Sequence, residues 1–208
     1  MMPNINGNTY GLTILCPIKS WRFHNPAPEQ LLREYIDTMP GGTASPFTRV
    51  RSTHFARLTV VDNVYFEGAT AKEDHLKSQY LWFNSNFDGD LETYLDDMFL
   101  QMSTEIEQIW QYCVGFPGLE QGRDEWKRYM IRCQIKTTFF FAAVNDMSVE
   151  ELLRALMLQR EFSSFVARNQ GLPAAELQQN FREFMTAYEE APTPAPGSID
   201  YKFSRQGG

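Results

Sequence analysis

The chain has 208 residues, of which 43% are hydrophobic and 22% charged, an ordinary composition for a globular protein that excludes wholesale disorder. Its 26 acidic residues outnumber its 19 basic ones, and the net charge of -7 argues against a general nucleic-acid binder, which needs basic side chains to displace counterions. No apolar run approaches the roughly 18 residues that cross a bilayer, and the polar residues 1–10 do not resemble a signal peptide. We therefore expect no membrane span.

The three cysteines, Cys16, Cys113 and Cys133, are far apart in the sequence. They form no Cys-x-x-Cys pair, which would indicate a zinc ribbon or a thioredoxin-type site, and no base lies near any of them in sequence. A small, odd number of thiols is typical of a reducing compartment. We predict structural thiols and a cytoplasmic location.

The first part of the chain predicts two strands that flank one helix. Residues 10–17 alternate as a strand does, and Pro17 would end it. Residues 26–39 combine a proline-rich start, one apolar face and a Pro-Gly-Gly stop, which is the pattern of a helix. Residues 51–62 alternate again and predict the second strand. Residues 63–78 predict an irregular or hairpin insertion.

The middle of the chain predicts two more strands around the longest helix. Residues 79–87 alternate as a third strand. The Asp-Gly-Asp sequence at residues 88–90 then opens a helix, with both aspartates as candidate caps, whose apolar residues recur in steps of three and four as far as Cys113. A short helix over residues 124–130 leads to a fourth strand over residues 134–144, centred on three phenylalanines.

The last part of the chain predicts two helices. Ser148 and Glu151 form a capping box, which marks the start of the first helix, and Gly171 is its natural stop. Residues 173–190 predict the second helix. The first helix is expected to bury Leu152, Leu153, Leu156, Met157, Phe162, Phe165 and Val166.

The order of the first six elements is strand, helix, strand, strand, helix, strand, the split β-α-β arrangement of a ferredoxin-like sandwich. We therefore predict an α+β fold in which an antiparallel βαββαβ sheet carries helices on one face. Residues 1–147 would form this domain, residues 148–190 a helical extension packed on it, and residues 191–208 an extended tail.

Strand alternation assigns side chains to the two faces of the sheet. The helix-covered face would carry Leu12, Ile14, Ala56, Leu58, Val60, Leu81 and Phe83. The opposite face would carry Thr13, Leu15, Phe55, Arg57, Thr59, Tyr80, Trp82, Asn84 and Asn86, with Lys136, Thr138 and Phe140 from the fourth strand. Because this second set is too aromatic to stay in water, we expect a second copy of the chain, a ligand or the C-terminal helices to cover it.

Two interpretations of that face remain open. Aromatic residues and arginine are enriched in protein interfaces, which favours a dimer or an intramolecular contact. Aromatic walls with convergent polar groups are also typical of a small-molecule pocket. In the pocket, Arg57 would hold an anionic group, Trp82 would stack on the ligand, and Asn84, Tyr80 and Phe55 would complete the site.

His54 falls by strand parity with Ala56 and Leu58, toward the helices. A buried neutral histidine hydrogen-bonded to a backbone carbonyl is one interpretation, and a haem or metal ligand or an acid–base group is the other. His24 and His75 lie in predicted loops without the spacing of metal ligands, so we predict no dedicated metal site.

Three stretches of the sequence carry a resemblance to known proteins: residues 45–57, which end in Thr-His-Phe-Ala-Arg; residues 81–90, Leu-Trp-Phe-Asn-Ser-Asn-Phe-Asp-Gly-Asp; and residues 113–117, Cys-Val-Gly-Phe-Pro. Over about residues 12–144 the chain resembles a largely uncharacterised bacterial family of ferredoxin-like proteins. Its general shape is similar to the dimeric α+β barrel superfamily, which includes cofactor-independent monooxygenases, chlorite-dismutase-like haem proteins and dye-decolorising peroxidases. The resemblance implies a ferredoxin-like dimer and transfers no catalytic residue.

These observations leave two functional hypotheses and do not decide whether the protein is an enzyme. In the first, a cytoplasmic homodimer binds a small hydrophobic or aromatic molecule, or haem, on the open sheet face and acts as an oxidoreductase. In the second, the protein is a non-enzymatic accessory or assembly subunit whose aromatic sheet face and C-terminal tail are partner surfaces. A third hypothesis, with less support, is a haem-handling protein with His54 as axial ligand. The cofactor is left open between none and haem.

Overall fold

The computed structural model describes residues 4–20, 26–63 and 76–198. His24, His75, most of the insertion predicted at residues 63–78 and the end of the tail lie outside these ranges. The strands are β1 (Ile5–Asn6), β2 (Thr9–Pro17), β3 (Thr53–Val61) and β4 (Tyr80–Asp88). The α-helices are α1 (Pro28–Thr38), α2 (Leu91–Gln101), α3 (Ser103–Trp110), α4 (Arg123–Cys133), α5 (Val149–Arg168) and α6 (Ala174–Glu190).

The strands form one antiparallel sheet in the order β1-β2-β4-β3, and the fold is α+β as predicted. β4 is central, because it pairs along its length with β2 on one side and β3 on the other, so that Phe83 lies between Ile14 and Leu58. The alternation predicted for β2 and β4 is confirmed by the burial of Leu12, Ile14, Leu81 and Phe83. On the edge strand β3 the equivalent residues Ala56, Leu58 and Val60 are partly buried.

Helices α1 to α4 bury one face of this sheet. Phe87 stacks on Tyr94 of α2 with ring centroids 3.7 Å apart. Trp110 at the end of α3 meets Phe83 edge to face and also meets Trp126 of α4, with centroid distances of 5.6 and 5.2 Å. All five rings belong to one apolar core between the sheet and the helices, which fixes the orientation of the strands.

The long helix predicted after residue 90 is two helices. The chain leaves helical geometry at Met102, where φ is -132° and ψ is 26°, and α3 begins at the next residue. Met102 is itself buried, and each helix keeps its own apolar row toward the core. These rows are Tyr94, Leu95 and Met98 in α2, and Ile106, Ile109 and Trp110 in α3.

Residues 134–144 form no strand, so the prediction of a fourth long strand is wrong. This segment contacts the edge of β2 at its start. Gln134 forms an isolated β-bridge with Ile14, and the Ile135 N–H donates a hydrogen bond of 2.8 Å to the Thr13 carbonyl. β1 pairs with the other part of that edge of β2, so the backbone groups of β2 there are already hydrogen-bonded and are not open to residues 134–144. The short strand β1 was not predicted from the sequence.

The predicted helical extension is present as a hairpin of α5 and α6. The capping box is confirmed: the Ser148 hydroxyl accepts the Glu151 N–H, and the Glu151 carboxylate accepts the Ser148 N–H. The expected burial along α5 holds for Phe165, but Phe162 and Val166 are exposed.

Within the described ranges, no helix is both long and apolar enough to cross a bilayer.

Candidate functional site

The face of the sheet opposite helices α1 to α4, which we call the outer face, carries every residue predicted to bind a ligand. Strand register places these residues in rows across β2, β4 and β3. From one end of the sheet to the other, the rows are Pro17, Tyr80 and Val61; Leu15, Trp82 and Thr59; Thr13, Asn84 and Arg57; and Gly11, Asn86 and Phe55. The sheet thus brings Phe55, Arg57, Tyr80, Trp82 and Asn84 together on one surface.

Trp82 lies at the centre of the outer face. It is on the central strand, between Leu15 and Thr59, and it is 40% exposed. Phe55, two rows away on β3, is 44% exposed, and Tyr80 is half-buried. Exposed aromatic side chains on one face of a sheet, with polar groups between them, are typical of an interaction site.

Arg57 and Asn84 supply the polar groups of the outer face. The Asn84 amide donates to the Thr13 hydroxyl at 3.1 Å, which links β4 to β2. The Arg57 guanidinium lies over the Phe55 ring, 5.9 Å from its centroid. In the described part of the chain Arg57 has no carboxylate partner, whereas Arg49 is paired with Glu105 at 2.6 Å. The outer face therefore presents a positive charge that is available to a ligand or a partner.

One corner of the outer face is covered by the chain itself. The Phe140 ring packs on the backbone of Gly11, so closely that a Cβ atom at residue 11 would lie 2.7 Å from a ring carbon. The Asn4 side chain holds the same corner by donating to the Gly11 carbonyl and to the Thr137 hydroxyl. Phe140 therefore reaches the predicted face, but from an irregular segment, and the covered corner stops short of Trp82.

His54 lies at the edge of the outer face, and its assignment to the helix-covered face is wrong. A β-bulge between Thr53 and Phe55 shifts the alternation at this point. His54 Nε2 donates to Asp88 Oδ1 at 2.5 Å, and the His54 side chain is 17% exposed. A carboxylate partner on one ring nitrogen is common for structural and for metal-bound histidines alike, so the axial haem ligand at His54 stays a prediction.

The Asp88 carboxylate connects the end of β4 to the start of α5 as well as to His54. Its second carboxylate oxygen accepts the N–H of Val149, the first residue of α5, at 2.7 Å. Asp90, not Asp88, caps α2, because its side chain accepts the N–H and the hydroxyl of Thr93. These Thr93 bonds hold the pKa of Asp90 below its usual range.

Within the described ranges the hydrogen bonds of His54 involve Asp88 alone, so the His54–Asp88 pair is not joined to a hydroxyl or thiol nucleophile.

The fold brings the three distant cysteines together beside Tyr129. The adjacent Cys113 thiol, together with burial, raises the pKa of Cys16 to about 12. The Cys16 thiol, followed by burial, raises the pKa of Cys133 as well, and burial raises that of the Tyr129 phenol. Cys16 and Cys133 therefore stay protonated at neutral pH, the opposite of what a nucleophile requires. No group of three metal-ligating side chains in the described residues is arranged to hold a metal ion.

The structure has one exposed apolar surface that was not predicted from the sequence. On the α5–α6 hairpin, Phe162, Val166, Leu177 and Phe181 are between 39% and 43% exposed. The phenylalanines of this hairpin make their ring contacts with one another, not with the main core. The signal in the sequence was the width of the apolar stripe on each helix, which exceeds what one neighbouring helix can bury.

Comparisons with protein-family models, with curated proteins and with solved structures find no match to this chain.

Proposed function

We propose that this protein is an assembly subunit that associates with a second copy of itself through the outer face. The observation that carries the proposal is the position of Trp82: a large aromatic side chain, two fifths exposed, at the centre of a sheet. Tryptophan and tyrosine are typical anchors of protein interfaces, and here Tyr80 and Phe55 extend the same surface.

The small extent of the corner that Phe140 covers supports this proposal. The segment that carries Phe140 packs over Gly11 and stops there, which leaves the surface around Trp82 open. Gln134 and Ile135 occupy the edge of β2 where the fourth strand of a ferredoxin-like sheet would lie. The ferredoxin-like topology and the resemblance to dimeric α+β barrels are part of this proposal, because dimers of that shape pair their open sheet faces.

The proposal is tested by the mass of the native chain in solution, measured by light scattering for the wild type and for Trp82→Ser. We expect twice the chain mass for the wild type, and a shift toward the single-chain mass for Trp82→Ser. Leu100→Ser is the matched control, because Leu100 is an exposed apolar residue on α2, in the opposite layer. An equal loss of association in both variants, or none in either, would contradict the role of the outer face.

A second candidate function, binding of a small anionic aromatic molecule, is favoured by Arg57. Its guanidinium has an aromatic neighbour and no carboxylate partner within the described ranges. The probe is an anionic naphthalene sulfonate dye, followed by fluorescence. We expect Arg57→Gln and Trp82→Ser each to weaken dye binding several-fold, with Arg57→Lys intermediate. Binding that none of the three changes would argue against this second function.

A further inference from the structure

The strand rows of the outer face carry a single charged side chain, Arg57, which is exposed near the middle of β3. The acidic groups beyond the two ends of these rows are engaged elsewhere. At one end Asp88 is bonded to His54. Beyond the other end Asp62 is paired with Arg33 at 2.7 Å. Arg57 therefore leaves a positive charge on this face of a chain whose total charge is -7.

The Arg57 guanidinium lies over the sheet and not beside it. It is 5.9 Å from the centroid of the Phe55 ring, which belongs to the next row of the same strand. The charge is therefore held above the outer face, although β3 is an edge strand. A second copy that packs on Trp82 and Phe55 would enclose the guanidinium.

The row that contains Arg57 offers mainly hydrogen-bond donors. The Asn84 amide donates one hydrogen to the Thr13 hydroxyl at 3.1 Å, and its second N–H has no partner in the described part of the chain. The Thr13 hydroxyl accepts that bond, so its own hydrogen is available to donate. Together with the guanidinium, these donors are the set that a carboxylate or a sulfonate accepts. Trp82 and Phe55 lie in the rows on either side.

Self-association through this face encloses the Arg57 charge against a copy of the same surface. A two-fold interface is made by the same patch of both chains, so the side chains that meet Arg57 come from the same strand rows. The described rows contain no carboxylate. Each Arg57 of a dimer is then enclosed without an acidic partner, and an enclosed, unpaired charge opposes association. An anion bound to Arg57 removes this penalty.

We infer that a small aromatic anion, a carboxylate or a sulfonate, binds between the two outer faces and strengthens the dimer. This inference rests on the proposed function, because it needs association through the outer face. The Arg57 guanidinium holds the anionic group, and Trp82 stacks on the aromatic body. Because the ligand and the second copy share one site, each increases the affinity for the other. The two candidate functions described above are thereby joined as ligand-dependent assembly.

The test measures the dimer dissociation constant of the full chain by analytical ultracentrifugation, with and without naphthalene sulfonate at constant ionic strength. We expect the probe to lower this constant about tenfold for the wild type, which is within the usual range of coupling between linked sites. Naphthalene sulfonamide, an uncharged analogue, should have little effect. An equal effect of the two compounds would show that the charge of the ligand plays no part, and would overturn the inference.

Arg57→Gln separates charge compensation from the simple loss of a contact. Without the probe, we expect this variant to dimerise more tightly than the wild type, because the unpaired charge is gone. The probe should no longer strengthen its dimer. Arg132→Gln is the matched control, since it removes the same charge from an exposed position of α4, in the opposite layer. A weaker Arg57→Gln dimer, or an equal change in both variants, would contradict the role given to Arg57.

A fluorescence titration of the wild type with naphthalene sulfonate measures the same coupling without a substitution. Its affinity for the probe should be about tenfold higher at protein concentrations at which the chain is dimeric than at those at which it is monomeric, because the coupling is reciprocal. An affinity that does not change with protein concentration would overturn the inference.

The outcomes distinguish this inference from the proposed function. A wild-type dimer that Trp82→Ser dissociates, but that the probe does not strengthen, would overturn the inference and leave the proposed function standing. A wild type that is monomeric at every concentration, with and without the probe, would overturn both. A probe that strengthens the wild-type dimer but has no effect on Arg57→Gln would support the inference.

Discussion

The carboxylate of Asp88 at the end of β4 accepts the backbone N–H of Val149 at 2.7 Å, and so fastens the first turn of α5 to the sheet. The same carboxylate holds His54 of β3 through its other oxygen. The residue therefore joins three elements that are far apart in sequence. Its negative charge also faces the N-terminal end of α5, where the helix dipole stabilises it.

Removing this junction should loosen the hairpin more than the rest of the molecule. Asp88→Asn keeps one acceptor oxygen but removes the negative charge, so the Val149 and His54 bonds are no longer bonds to a charged group, which are worth about 1.5–3 kcal/mol. We expect faster amide exchange at the start of α5, measured by hydrogen-exchange mass spectrometry, while β2 and β4 stay protected. Asp146→Asn is the control, because Asp146 is exposed and close in sequence to α5. Faster exchange of the whole chain would show that Asp88 acts on global stability instead.

The cap of α2 should give a pH-dependent stabilisation. The Thr93 N–H and hydroxyl hold the pKa of Asp90 below its usual range, so the folded state favours the carboxylate. Its contribution is complete above the ordinary pKa of an aspartate and is lost as the pH falls through the lowered pKa. We expect Asp90→Ala to lower the free energy of unfolding by about 1 kcal/mol at pH 7, measured with urea, and by less in acid. A difference that grows in acid would contradict this assignment.

The thiol cluster should react slowly. With a pKa of about 12, Cys16 has on the order of one part in ten thousand as thiolate at pH 8, and the residue is buried. We expect a disulfide reagent such as Ellman's reagent to modify Cys16 and Cys113 in the native chain far more slowly than in urea. Cys133 is half-buried, but its pKa is also raised, so it should react slowly as well. Rapid titration of all three thiols in the native protein would show that the cluster is open.

The contact of Gly11 with Phe140 should be visible in a double-mutant cycle. Gly11→Ala places a methyl group against the Phe140 ring, so we expect a destabilisation of about 1–3 kcal/mol in urea unfolding. Phe140→Ala removes the ring, and the double variant should therefore lose less stability than the sum of the two single variants. Phe139→Ala is the control, because Phe139 is 82% exposed. Strict additivity would mean that the ring does not cover Gly11.

Sequence alone determined the elements that local patterns specify. Alternation over residues 10–17, 51–62 and 79–87 predicted three strands, and the sheet has them with one face buried. The capping box at Ser148 predicted the start of α5 to the residue. The set of candidate residues on the outer face was also predictable, because in a strand the side chains alternate whatever the partner. His54 is the exception, since a bulge is a property of the pairing and not of one strand.

Only the tertiary structure decided which of several distant segments hydrogen-bonds to a given strand edge or side chain. Residues 134–144 have the composition of a strand, yet β1 takes part of the edge that they would need. Asp88 has the sequence context of a helix cap, but Val149 and His54 compete for its carboxylate, and Asp90 caps α2 instead. A backbone or side-chain group forms only a few hydrogen bonds, and which neighbours obtain them is settled when the chain folds, not by the residues beside it.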